Sequence, residues 1–181
     1  MQDAGLLKVT HAIEILPSAC QTIRANSPQT IVYNQCANEM LRYTADMLNE
    51  AEPCREDAPR QIHPPELLPK PPLPGDIDVI LAGFPCQSHS ALNMYRKEDD
   101  PRSRLMLTML SFVHVYQPKY CVFENVPGFL EYDPGAGQED PEHNKMGGLR
   151  LLYHALTTMS YQVRCGVLQA GNYGAPQHRQ R

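Results

Sequence analysis

A thiol, a carboxylate and a pair of guanidiniums are the groups in this chain whose settings suggest chemistry. Cys86 lies in Gly83-Phe84-Pro85-Cys86-Gln87-Ser88, directly after the apolar run 78–82. Gly83 permits a sharp exit from a buried strand, and Pro85 fixes the backbone beside the thiol. A cysteine presented that way is a nucleophile where a nearby cation favours its thiolate, and a structural turn cysteine otherwise. Glu124-Asn125-Val126 closes a second apolar run, 120–124. A carboxylate leaving such a strand is costly to bury unless paired, and desolvation would favour its protonated form. That suits an acid that donates or shares a proton, though capping of a neighbouring helix is the competing reading. Gln177-His178-Arg179-Gln180-Arg181 follows a Gly-rich stretch. On an extended segment Arg179 and Arg181 point to the same side. There they could hold a phosphate, a carbonyl or an active-site carboxylate; an exposed basic tail is the alternative.

These residues need elements to hold them. The pattern predicts strands over 8–15, 30–33, 78–82, 120–124 and 161–168. Helices are expected over 19–25, 37–49, 105–116 and 147–160. Met40, Leu41, Ala45 and Leu48 share one face of the second helix, and Leu149, Leu152, Leu156 and Met159 form the inner stripe of the last. Strand–helix alternation implies an α/β domain with a mainly parallel sheet. Ligands bind such sheets at the carboxyl ends of strands, and Glu14, Cys86 and Glu124 all fall at such ends. Eight prolines crowd residues 50–75. Proline donates no backbone hydrogen bond, so this stretch reads as an irregular surface insertion in the domain 1–181.

Bulk properties narrow the class. No apolar run of about 18 residues is present, so no membrane-spanning helix is expected. The N-terminus lacks the basic start and apolar core of a secretory signal, which makes an intracellular setting the default. Six cysteines, at 20, 36, 54, 86, 121 and 165, include no CxxC pair. No metal site or disulfide framework is expected, and all but Cys86 read as buried apolar thiols. A net charge of -4 weighs against a large duplex-binding face, so any nucleic-acid reading rests on particular residues.

In combination and in this order, the motifs resemble those of the C5 cytosine-specific DNA methyltransferases. GFPCQSHS resembles that family's Pro-Cys nucleophile loop, ENVPGF its Glu-Asn-Val motif and GNYGAPQHRQR its Gln-x-Arg-x-Arg motif. AGLLKVTHAIEILPSACQTIRANSP resembles its second cofactor segment. Spacing and the long insertion are closer to the eukaryotic nuclear enzymes, which implies a nuclear location. The resemblance covers nearly the whole chain outside 50–75.

The resemblance implies an S-adenosylmethionine-dependent, Rossmann-like domain acting on a cytosine flipped out of double-stranded DNA. Cys86 would add to C6, Glu124 would hold N3 and the exocyclic amine, and Arg179 and Arg181 would steady the site. Phe84, through its carbonyl, with Gln87, Ser88, Asn125, Val126 and Gln177, would line the substrate. Arg96, Lys97, Arg102 and Arg104 of a mobile loop over 87–104 could meet phosphates, opposed by Glu98, Asp99 and Asp100. Glu14 would take the cofactor's ribose hydroxyls, Ile15 would pack on adenine and Pro85 would border the sulfonium. Where the family places an Asp against the adenine amine, Asn34-Gln35-Cys36-Ala37-Asn38 offers Gln35 or Cys36, with Ala37 beside it. The family's first strand with its Phe-x-Gly-x-Gly loop, and its DNA-recognition region, have no counterpart in these residues. The expectation is a partial catalytic domain, inactive alone, whose missing segments or other chromatin proteins would be partners. An RNA cytosine methyltransferase and a non-catalytic DNA-binding or regulatory module are the alternatives.

Overall fold

Short runs of the chain become strands, which alternate with helices along the sequence. A computed structural model describes residues 5–48, 62–84, 105–132 and 146–181. The chain divides into two compact units, Met1–Leu73 and Pro74–Arg181.

In the first unit, β1 (His11–Glu14) pairs parallel with β2 (Ile31–Asn34), in register from His11↔Ile31 to Glu14↔Asn34. Helix α1 (Pro17–Asn26) makes the crossover that parallel strands require. Pro17 starts it, where a missing N–H costs nothing, and Arg24 in its last turn suits the negative end of the helix dipole. Helix α2 (Ala37–Leu48) buries Met40, Leu41, Thr44 and Ala45, a stripe at helical spacing.

The second half of the Pro-rich stretch is ordered. It carries a short 3₁₀ turn at Pro65–Leu67 and buries Pro71. Proline's lost donors are replaced by tethers from the end of β2. The Tyr33 hydroxyl donates to the Lys70 carbonyl at 2.8 Å, and the Gln35 amide to the His63 carbonyl at 2.7 Å. Gln35 Oε1 accepts from the Ile62 N–H at 2.8 Å and the Cys36 N–H at 3.0 Å. Gln35 is 2% exposed, so its amide has no other outlet.

In the second unit, β3 (Val79–Gly83) pairs parallel with β4 (Tyr120–Glu124), from Val79↔Tyr120 to Gly83↔Glu124, with α3 (Leu105–Tyr116) between them in sequence. Phe84, Met106, Leu110, Val113, Phe129, Leu152 and Leu156 form the core, against which Ile80, Cys121 and Phe123 pack. Helix α4 (Gly147–Thr158) turns Leu152 and Leu156 inward, with Leu149 and Met159 partly buried beside them. Gly148 is obligatory there, since a Cβ would sit 2.6 Å from Tyr132 Cδ1 and 3.1 Å from Phe129 Cζ.

One expectation needs correction. Residues 161–168 form no strand, and among the described residues Leu168, at their end, pairs backbone to backbone with another segment, at Arg181. Tyr161 instead anchors the segment by donating to the Pro118 carbonyl at 2.5 Å. Cys165 on it is accordingly exposed, whereas Cys20 and Cys36 are buried and Cys121 is half-buried. The expected α/β character with parallel pairing is present, as two parallel strand pairs among the described residues, one per unit.

The tethers make a direct prediction. Gln35→Ala removes the side-chain partner of the buried Cys36 N–H, the part-buried Ile62 N–H and the His63 carbonyl, and should lower unfolding stability by about 1–3 kcal/mol. Urea denaturation measures this, and limited proteolysis at 62–70 should accelerate in parallel. An unchanged midpoint would show that the amide tethers nothing.

Candidate active site

Parallel pairing brings the C-terminal ends of both strands of a pair to the same edge. In the second unit that edge carries Gly83 on β3 and Glu124 on β4, directly paired. The lack of a side chain at Gly83 is what leaves room for the carboxylate. A Cβ there would lie 3.3 Å from Glu124 Oε2. The other oxygen, Oε1, is held by Arg181 Nε at 2.6 Å.

Arg181 reaches Glu124 because the chain folds back on itself. A 3₁₀ turn at Ala170–Tyr173 ends on Gly174, whose φ of 82° is left-handed and suits glycine. The returning strand closes on an antiparallel bridge, Gln169↔Gln180. Leu168 N–H donates to the Arg181 carbonyl at 2.7 Å, and Arg181 N–H to the Leu168 carbonyl at 2.9 Å. The backbone thus fixes residue 181 independently of its side chain.

Of the residues singled out from sequence, Glu124 and Arg181 meet. Arg179 is exposed on the same returning segment, and its side chain makes no hydrogen bond or ion pair among the described residues. Gln177 is likewise exposed, its N–H turned to the Ala175 carbonyl at 2.7 Å. Phe84 puts its ring into the core, edge-on to Phe123 and Phe129. Asn125 Oδ1 accepts from the Val126 N–H at 2.8 Å, while its buried Nδ2 has no partner among the described residues. Pro85, Cys86, Gln87, Ser88 and the four basic residues of the following loop lie outside the described residues. The premise of desolvation at Glu124 does not hold. Its side chain is 52% exposed, and its neighbour is a cation.

The first unit carries the other acid. Glu14 ends β1, and its Oε1 accepts from the Leu16 N–H at 2.8 Å. Its Oε2 makes no hydrogen bond among the described residues, so an oriented carboxylate remains able to accept from a pair of hydroxyls. Behind it, the Glu14 carbonyl accepts from the Gln35 N–H at 3.1 Å, Asn34 Nδ2 at 3.1 Å and the Cys20 thiol at 3.4 Å. Burial pushes the Cys20 thiol up from its ordinary pKa, against the opposing pull of Arg24, which keeps it a donor. Ile15 is half-buried in the β1–α1 turn, and Ala37 opens α2 beside Cys36. The Gln35 side chain is spent on the Pro-rich tether and also occupies the Cys36 N–H. It is not available to a ligand. Sequence reading passed over Asn34, although an amide closing a strand paired with an acid-ended one was a readable signal.

The family model for C-5 cytosine-specific DNA methylases matches residues 61–181. DNA (cytosine-5)-methyltransferase 4 of Arabidopsis thaliana is 30% identical over 191 residues, covering 100% of this chain and 12% of that protein. DNA (cytosine-5)-methyltransferase 3 of the same plant is 32% identical over 198 residues, with 100% of this chain and 13% of that protein covered. DNA (cytosine-5)-methyltransferase 1 of Mus musculus is 30% identical over 181 residues, which is 99% of this chain and 10% of that protein. The chain therefore spans roughly an eighth of the length of these relatives. A prophage-encoded DNA modification methyltransferase from E. coli shares the fold, with a TM-score of 0.55 at 23% identity over 96% of this chain and 38% of that one.

The geometry predicts a small energetic role for the ion pair. Both partners are well exposed, at 32% and 52%, so Arg181→Gln should lower the thermal midpoint by less than about 4 °C. Differential scanning calorimetry decides this. A larger drop would mean that the side chain, not the backbone pairing, holds the returning segment.

Proposed function

We propose, from the premise that this chain belongs to the C-5 cytosine-specific DNA methylase family, that it is the nucleophile-bearing part of a DNA cytosine-C5 methyltransferase. The observation that carries the reading is the Glu124–Arg181 ion pair at the edge where β3 ends. Two peptide bonds separate Phe84 from Cys86, a span of at most about 7.6 Å between Cα atoms. A thiol on so short a tether from β3 and a carboxylate at the end of its paired strand are suited to act on one ring.

The target is a cytosine extruded from duplex DNA. The Cys86 thiolate adds to C6, which makes C5 enamine-like and able to take a methyl group. Glu124 hydrogen-bonds N3 and the exocyclic amine, sharing a proton with N3 as the thiolate adds. Charge developing on the ring thereby drains onto N3. Arg181 keeps the carboxyl in one orientation, and Arg179 is free to meet a phosphate. Phe84 contributes its carbonyl, and Gln87, Ser88, Asn125, Val126 and Gln177 line the base. S-adenosylmethionine supplies the methyl electrophile. Glu14 would hold its ribose hydroxyls, Ile15 its adenine and Pro85 the border of its sulfonium. Cys36 and Ala37 would flank the adenine. The setting is nuclear, with further segments of the methyltransferase or chromatin proteins as partners.

One observation favours the second reading, a non-catalytic DNA-binding or regulatory module: the Gln35 side chain is withdrawn from the adenine end. Duplex DNA carrying 5-fluorocytosine separates the two. With S-adenosylmethionine present, the enzyme reading expects a denaturation-resistant protein–DNA adduct, abolished in Cys86→Ala. Glu124→Gln should slow its formation roughly 10²–10⁴-fold. With the further segments of the methyltransferase supplied, an adduct that survives Cys86→Ala, or none without that substitution, would overturn the enzyme reading.

A further inference from the structure

The β1–α1 turn that bears Glu14 is only two residues long, Ile15 and Leu16, before Pro17 begins α1. The Leu16 carbonyl accepts from the Cys20 N–H of α1 at 3.0 Å, which leaves the carbonyls of Glu14 and Ile15 in need of donors from elsewhere. Asn34, the last residue of β2 and the register partner of Glu14, supplies them. Its Nδ2 donates to the Glu14 carbonyl and to the Ile15 carbonyl, each at 3.1 Å. Two carbonyl partners on one terminal atom settle which end of the amide is the NH₂. One side chain on the neighbouring strand therefore spans the peptide that follows the acid.

We propose that Asn34 is a positioning residue for a cofactor's ribose, acting through Glu14. Gripping the carbonyls of residues 14 and 15 fixes the turn, and the fixed turn places the Leu16 N–H on Glu14 Oε1 at 2.8 Å. With one oxygen held there, the other is aimed outward to accept from a vicinal diol. The Cys20 thiol and the Gln35 N–H also hold the Glu14 carbonyl, but among the described residues only Asn34 holds that of Ile15. Removal of Asn34 frees the peptide between Ile15 and Leu16, which carries the N–H that orients the acid. This inference rests on the reading of Glu14 as the ribose acid.

The test measures binding, not turnover. S-adenosylhomocysteine and its 2′-deoxyribose analogue are titrated calorimetrically into the unsubstituted chain, Asn34→Ala and Glu14→Gln. The unsubstituted chain is expected to prefer the ribose ligand by roughly tenfold, the worth of about one good hydrogen bond. Asn34→Ala should weaken S-adenosylhomocysteine by a similar factor and bring the preference close to unity. A merely structural role would weaken both ligands alike and keep the ratio, which overturns the inference. Loss of the preference in Glu14→Gln with its retention in Asn34→Ala also overturns the inference, while leaving Glu14's role standing. With the further segments of the methyltransferase joined to each variant, failure of the unsubstituted protein to bind, or an unchanged ratio in Glu14→Gln, overturns the reading of Glu14 itself. Should Asn34→Ala be unfolded by circular dichroism, Asn34→Ser, which keeps one donor, is expected to give an intermediate ratio. A ratio in Asn34→Ser equal to that of the unsubstituted chain would sink the proposal.

Discussion

The last register pair of each parallel ladder is the constraint on which the rest depends. Parallel strands finish at a common edge, and each pair here finishes with an acid beside a residue that leaves it usable: Glu14 beside Asn34, and Glu124 beside Gly83. The two solutions differ chemically. Glycine withholds a side chain, so Glu124 Oε2 stays open while Arg181 takes Oε1. Asparagine instead reaches behind its acid and ties down the backbone that carries it. A slip of one residue in either ladder would turn the acid to the opposite face of its sheet and undo both arrangements.

Parallel pairing also dictates how the chain is spent. Each crossover needs a helix, and α1 and α3 supply one per pair. These connections place the chemical residues in strand-end loops, while the helices bury apolar stripes that carry no chemistry. Phe84 stands at the boundary, with its ring in the core and its carbonyl on the segment leading to Cys86.

The helices and four of the five expected strands were legible because their apolar periodicity was strong and their boundaries were marked by Pro17, Gly83 and Pro118. The strand expected over 161–168 failed for a reason periodicity does not carry, since a ladder needs a partner and alternation names none. The meeting of Glu124 with Arg181 was foreseen in kind, as a carboxylate and a guanidinium in one family's motifs. The fold-back that delivers it, through Gly174 and the Gln169↔Gln180 bridge, was read only as a Gly-rich loop. Gln35 was offered as a ligand for adenine. Its true partners, Ile62 and His63, lie 27 and 28 residues away across a Pro-rich stretch that no local pattern would pair with it.

On the proposed reading, that withdrawal of Gln35 shifts the weight of cofactor recognition within the first unit. Its side chain is tethered to the Pro-rich segment, and its Oε1 also occupies the Cys36 N–H, so two polar groups at the end of β2 are already satisfied. Among the described residues, the Glu14 carboxylate keeps an oxygen able to accept polar atoms there, with the half-buried Ile15 beside it. A nucleoside held mainly through one carboxylate depends on how well that carboxylate is oriented. A mobile acid loses side-chain entropy each time a diol is bound, and a preorganised one has lost it already on folding. On the proposed reading of Glu14 as the ribose acid, the amide of Asn34 and the N–H of Leu16 bear more on affinity than they would where the purine had its own polar partners.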